Sequence, residues 1–224
     1  MAGQDRTRSR GASARAVQRL REEEVVGAYA RWAPVYDHIF GPIMDGSRRA
    51  AVAALPAGAR KVLEVGVGTG ISLPFYPRGV DVVGIDLSPD MLAIARRRIA
   101  RHGLSTSATV HEMDASAMTF ADGAFDAVMA MYVMTVVPDP AAVLSEIRRV
   151  VKPGGRVLVL GHFAADSGPK AFFGTLLAPI SRRLGWNARV TAGSLAGHPG
   201  LRFVGDRPAG LSGFYRLLEF EAEA

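Results

Sequence analysis

Apolar and polar positions along this chain change period several times. Over residues 14–32, Val17, Leu20, Val25, Ala28, Tyr29 and Trp32 return at about helical spacing, which predicts an amphipathic helix ending before Pro34. A second short helix is expected over residues 42–54. From residue 60 onward the pattern turns to short, β-branched apolar runs bounded by Gly, Pro or Asp, at residues 61–65, 81–85, 125–131 and 156–160, and these read as buried strands. Helical stretches separate them: residues 89–102 behind Ser88 as N-cap, and residues 140–151 with Val143, Ile147 and Val150 on one face. Strand and helix therefore alternate over residues 60–160, which predicts an α/β fold with a right-handed, doubly wound, mostly parallel sheet. Phe172, Phe173, Leu176, Leu177, Ile180 and Leu184 restore the helical period over residues 168–186, with Pro179 starting a second helix or kinking the first. Residues 201–205 and 214–220 read as two further strands that give the sheet an antiparallel finish.

Charge changes this picture at one end only. The net charge is +6, and residues 1–21 hold six arginines against the single acid Asp5. The remainder is near neutral, so the basic character belongs to an N-terminal arm, residues 1–13, that is either solvated or drawn to an anionic surface. A chain of 224 residues suits one domain, expected over residues 14–224, with lid or membrane helices at 14–54, a core at 60–160 and substrate-side elements at 161–224. There is no run of about 18 apolar residues, so no membrane-spanning helix is expected. The Arg-rich start has no apolar stretch behind it, unlike a secretory signal, which points to the cytoplasm. Cysteine is absent, which excludes disulfides, thiolate metal ligands and a Cys nucleophile, and the five histidines lack metal-ligand spacing, so no metal is expected.

The chemistry is concentrated in Glu64-Val65-Gly66-Val67-Gly68-Thr69-Gly70, which follows the first predicted strand and is expected to lead through a loop into a helix. Glycines let such a loop turn sharply and let a ligand approach the backbone. A dinucleotide site would need its third glycine placed to admit a pyrophosphate, whereas Gly70 comes two residues after Gly68 and an acid, Glu64, stands two before Gly66. The second run ends at Asp86, twenty residues after Gly66, where a carboxylate can accept both ribose hydroxyl hydrogen bonds. By spacing alone, another nucleotide cofactor stays open.

Together with Asp86-Leu87-Ser88-Pro89-Asp90-Met91, Met113-Asp114-Ala115, Phe125-Asp126-Ala127-Val128 and Val151-Lys152-Pro153-Gly154-Gly155, this loop resembles the ordered motifs of class I S-adenosylmethionine (SAM)-dependent methyltransferases. The resemblance implies a Rossmann-like class I methyltransferase fold, SAM as cofactor, S-adenosylhomocysteine as product, and no metal. It also implies cofactor-binding residues: Glu64, Gly66, Gly68, Thr69 and Gly70 in the loop, then Asp86, Leu87, Ser88 and Met91 at the ribose. Asp114 and Ala115 would meet the adenine, and Met131 is a further expected cofactor-binding residue.

A narrower resemblance covers residues 20–224. Tyr29-Ala30-Arg31-Trp32-Ala33-Pro34-Val35-Tyr36-Asp37, Phe40-Gly41, Arg48-Arg49-Ala50-Ala51-Val52, Ala178-Pro179 and Arg182-Arg183-Leu184-Gly185-Trp186 are similar to bacterial phospholipid N-methyltransferases of the Rhodobacter type. That family methylates phosphatidylethanolamine stepwise to phosphatidylcholine, which implies a phospholipid substrate and a peripheral position at the inner face of the cell membrane. The amphipathic helices over 14–32 and 168–186 would bind its anionic surface. Each methylation leaves a more substituted cation, which aromatic rings hold with about 0.5–2 kcal/mol. Tyr29, Tyr36 and Tyr132 are therefore catalytic candidates, with His162 as base or phosphate anchor, whereas Tyr215 reads as packing. Two other readings compete: a methyltransferase of a quinone precursor or another small amphiphile, and a non-catalytic SAM- or membrane-binding module. Nucleic acid is not an expected partner, because no Asn-Pro-Pro-Tyr-like segment is present. The sequence assigns no oligomeric state.

Overall fold

In a computed structural model of the protein, residues 41–163, 190–210 and 215–224 are described. The helices expected over 14–32 and 168–186, and with them Tyr29 and Tyr36, lie outside the described residues. Those described form α1 (Gly41–Val52), β1 (Lys61–Val65), β2 (Asp81–Asp86), α2 (Pro89–Arg101), β3 (Ala108–Glu112), β4 (Phe125–Met131), α3 (Pro140–Val150), β5 (Val151–Gly161), α4 (Ala192–Ala196), β6 (Leu201–Ala209) and β7 (Tyr215–Ala222).

The strands join in one seven-stranded sheet of order β3-β2-β1-β4-β5-β7-β6. The first five are parallel, and β7 is inserted antiparallel to both β5 and β6. Both faces are covered, as the near-continuous apolar strands require. Leu63, Val65, Val128, Ala130, Val157 and Val159 share one cluster with Val143, Leu144, Ile147 and Val150 of α3. On the alternate strand positions, Val62 and Ala127 pack with Leu92, Ala95 and Ile99 of α2, while Met129, Met131, Leu158 and Leu160 pack with Ala51 and Val52 of α1. Period two in the strands therefore divides helices between two layers, which is the doubly wound class I methyltransferase arrangement.

Capping chemistry fixes where the helices begin. Ser88 accepts from the Met91 N–H at 3.3 Å, and Asp139 accepts from the Ala141 and Ala142 N–H groups at 3.0 Å each. In both helices Pro stands in the first turn, where its missing N–H costs nothing.

Three sequence expectations change, and for the connection from β3 to β4 the sequence predicts no element. The loop after β1 does not lead into a helix but into a three-residue 3₁₀ turn, Leu73–Phe75, because Pro74 and Pro77 remove donors and bias their predecessors out of the α region. β3, missing from the predicted strands, alternates buried Ala108 and Val110 with exposed Thr109, His111 and Glu112 at the sheet edge, so it carries too few apolar residues to read as a buried run. No helix joins β3 to β4. Instead Arg149 of α3 donates to the Met118 and Phe120 carbonyls at 2.8 and 2.7 Å, and Glu146 accepts from the Met118 N–H at 2.7 Å, pinning the connection from the side. The last two strands are longer than predicted, since a bulge between Phe203 and Gly205 lets β6 continue to Ala209, with Pro208 tolerated on an edge strand. Among the described residues, no helix is long and apolar enough to cross a membrane.

Candidate active site

The carboxyl ends of β1, β2 and β4 converge on one edge of the sheet, where parallel α/β folds place ligands. The loop after β1 folds back over β2: the Gly66 and Val67 N–H groups both donate to the Ile85 carbonyl, at 2.9 and 3.0 Å. Gly66, Gly68 and Gly70 have φ of +71°, +53° and +71°, in the left-handed region. A Cβ on Gly66 would stand 2.7 Å from Val133 Cβ, so the glycine is dictated by close approach of the segment after β4. At Gly68 a Cβ would meet nothing within 4 Å, so this glycine borders open space. Its N–H donates to Asp86 Oδ2 at 2.9 Å, while the Ser88 N–H donates to Asp86 Oδ1 at 2.9 Å. The Asp86 carboxylate thus ties the glycine loop to the turn opening α2. Burial raises its pKa, and those N–H groups oppose the rise.

Thr69 is buried and held from α2, because Arg98 donates to its carbonyl at 2.5 Å and to its Oγ1 at 3.1 Å. Leu87 is 42% exposed beside this turn, and Met91 lies in the first turn of α2. Asp114 is exposed just past β3 and accepts from both the N–H and the hydroxyl of Ser116 at 2.8 Å. The end of β3 is joined to β2 by the Met113 N–H donating to the Asp86 carbonyl at 3.1 Å, with partly buried Ala115 two residues on.

Glu64 is the buried acid of the site, 2% exposed on β1. Its Oε1 accepts from Ser72 Oγ at 2.5 Å and its Oε2 from the Tyr76 hydroxyl at 2.8 Å. Burial pushes its pKa up to about 7, against the lowering pull of those two donors and of the Arg48 charge.

Beyond β4 the polar side chains come from remote parts of the chain. Met131 is buried at the strand end, and Tyr132 follows in the left-handed region at φ +63°, the sole such non-glycine among the described residues. Ser47 of α1 donates to the Met44 carbonyl at 2.7 Å, so the 2.6 Å contact of its Oγ with Tyr132 takes its proton from the phenol. The Arg48 guanidinium lies 5.3 Å from the Tyr132 ring centroid, and the Tyr215 ring meets Tyr132 edge-on at 5.3 Å. Burial pushes the Tyr132 phenol up to about 12, so it stays protonated at neutral pH. His162 stands just past β5, partly buried, and burial lowers its pKa, favouring the neutral ring.

The predicted donor-side residues are thus gathered at the ends of β1 to β4, with Glu64 and Asp86 each fixed by two or more hydrogen bonds. Sequence reasoning assigned no role to Ser47, Arg48, Ser72, Tyr76 or Arg98. For Ser72 and Tyr76 a signal existed, since both follow the glycine loop closely and the buried acid at Glu64 needs donors.

A fold of this order with an acid-tipped glycine loop and a carboxylate at the end of β2 defines a class, and comparison with known proteins agrees. Residues 63–159 match the family described as "Methyltransferase domain". A phosphatidylethanolamine N-methyltransferase of Cereibacter sphaeroides is 40% identical over 199 residues, covering 89% of this chain and 98% of the relative. A demethylmenaquinone methyltransferase of Thermus thermophilus is 34% identical, covering 88% and 83%. Among solved structures, a SAM-dependent methyltransferase of Thermotoga maritima superposes with a TM-score of 0.66 at 22% identity, covering 88% of this chain and 99% of that one. The chain belongs to the class I SAM-dependent methyltransferases.

Proposed function

We propose that this methyltransferase acts on the amine of phosphatidylethanolamine, proceeding through the mono- and dimethyl forms to phosphatidylcholine at the inner face of the cell membrane. The observation that carries this reading is the 40% identity to the phosphatidylethanolamine N-methyltransferase, which runs well beyond residues 63–159. We assign donor binding to Glu64, the loop Gly66 to Gly70, Asp86, Leu87, Ser88, Met91, Asp114, Ala115 and Met131. Gly68 suits such a ligand, because its backbone faces open space beside an Asp86 carboxylate already held in place.

Bound SAM supplies an electrophilic methyl group on a sulfonium, so this chain's own residues need only align the amine, receive its proton and keep water out. Tyr132 suits the first task through its oxygen rather than its ring, whose neighbourhood already holds the Arg48 cation. Its proton goes to Ser47, leaving a lone pair able to accept from a lipid ammonium. His162, kept neutral by burial, suits the second. Tyr29 and Tyr36 complete the assignment as further hydroxyls, and the segments over 14–32 and 168–186 are assigned to the lipid interface, with residues 1–13 as a basic arm.

The 34% identity to a demethylmenaquinone methyltransferase favours a quinone precursor as the second reading. The test is transfer of labelled methyl from SAM to vesicles of phosphatidylethanolamine, with and without an anionic phospholipid, beside demethylmenaquinone in the same vesicles. Labelled mono-, di- and trimethyl lipid is the expected result. Label in the quinone with none in the phospholipid overturns the lipid reading.

A further inference from the structure

Ser72 stands at the N-cap position of the 3₁₀ turn Leu73–Phe75, yet its side chain makes no capping hydrogen bond. Its hydroxyl is turned instead into the sheet edge, where it donates to Glu64 Oε1 at 2.5 Å. The residue closing that turn, Tyr76, donates to Glu64 Oε2 at 2.8 Å. A short turn that gives up a local cap to aim two hydroxyls at one buried carboxylate is organised around the acid. The other elements packed on Glu64 bring little else. In register with it β2 presents Gly84 and β4 presents Met129, neither titratable, while α1 brings the Arg48 charge, itself shared with Asp45 at 3.3 Å.

We propose that Tyr76, seconded by Ser72, is a positioning residue whose hydroxyl keeps the Glu64 carboxylate charged for the cationic methionine portion of the donor. The proposal rests on the assignment of Glu64 to donor binding and holds whichever acceptor is methylated. A carboxylate with almost no exposure has no water to hold its charge, so the ionised form exists by virtue of its donors. Burial and the neighbouring Glu64 charge both raise the Tyr76 pKa, so the phenol remains a donor throughout the neutral range. Burial raises the Glu64 pKa to about 7 against the pull of Ser72, Tyr76 and Arg48, so loss of one of these hydroxyls moves it further up.

The test is calorimetric binding of S-adenosylhomocysteine to the full chain between about pH 6 and pH 9, expressed at each pH as the ratio of variant to wild-type Kd, in which the ligand's own titration cancels. Tyr76→Phe keeps the ring and removes only the donor. Loss of a charge-assisted hydrogen bond shifts the ionisation equilibrium about tenfold, so the ratio is expected near fivefold at about pH 7 and near one at about pH 9. Ser72→Ala should move the same way, and neither change should alter binding further in a Glu64→Gln background. A ratio that is constant across pH, or no weakening at pH 7, overturns the positioning role. If Glu64→Gln itself binds the ligand as wild type does at every pH, the assignment of Glu64 to the donor falls, and the role of Tyr76 with it.

Discussion

The ends of β1 and β2 and the end of β4 are neighbours in the sheet, but they are built differently. On the first side, most of the groups that hold one another lie within 18 residues, Glu64 with Ser72 and Tyr76, Gly68 with Asp86, Asp86 with Ser88, while Arg98 and Val133 reach the loop from farther along the chain. On the second, Ser47, Tyr132 and Tyr215 meet from three remote stretches of chain. The β1–β2 side is therefore largely a local fold of the backbone, held by N–H groups and glycines. The β4 side depends on α1 docking over the sheet and on β7 inserting beside β5. A local site tolerates variation elsewhere, whereas a site assembled from remote pieces can change its acceptor when one docking element changes. That difference agrees with two relatives that share methyl transfer but are named for different acceptors, phosphatidylethanolamine and demethylmenaquinone.

The comparison breaks most sharply at the glycines. Gly66→Ala forces a Cβ at φ +71° to within 2.7 Å of Val133 and should cost about 2–4 kcal/mol of stability, read by thermal or urea unfolding. Gly68→Ala meets no neighbour and should cost only about 1 kcal/mol, yet weaken S-adenosylhomocysteine binding by about tenfold or more, since its methyl enters the open space beside Asp86. Equal losses of stability in the two variants would contradict the close approach of the segment after β4.

A second contrast is in pH. Glu64 titrates at about 7 when folded against 4.5 for an ordinary carboxyl, so between these values the folded chain binds more protons than the unfolded one. Stability from this group is greatest below pH 4.5 and falls as pH rises through 7, by about 3 kcal/mol in all. Glu64→Gln removes the ionisation and should be the more stable protein at about pH 8 while binding the donor less well, as unfolding at several pH values would show. Asp126 behaves oppositely. The Lys152 ammonium at 2.5 Å, with the Lys61 and Arg60 N–H groups, holds its pKa at about 2, so its contribution is lost only as pH falls toward that value.

The smallest expected effect lies at the end of β4. Tyr132→Phe removes the link to Ser47 and should lower stability by about 1 kcal/mol. Transfer to the acceptor should fall while donor affinity stays unchanged. Ser47→Ala should be non-additive with it, because both changes remove the same contact. Additive losses would show that the two side chains act separately.

Much of the β1–β2 side was legible in the sequence because its determinants are local. The Ser88 cap, the β1 and β2 runs and the glycine spacing each follow from neighbours a few residues apart, and the structure shows Asp86 joining the loop to the α2 turn. What failed to show were features whose cause lies elsewhere in the chain. β3 reads as polar because an edge strand buries only alternate residues, and the β3–β4 connection needs no helix because Arg149 and Glu146 of α3 hold it.

By itself, the sequence determined four of the five parallel strand runs, the alternation that divides the helices between two layers, and the glycine spacing of the loop after β1, since period and backbone sterics act over short distances. Tertiary structure alone decided that Ser72 forgoes a cap to serve Glu64, that Tyr132 is held by Ser47, and that β7 enters between β5 and β6. These outcomes depend on which surfaces meet once the layers close, and burial then sets the charge of each acid and phenol by removing water that no sequence pattern records.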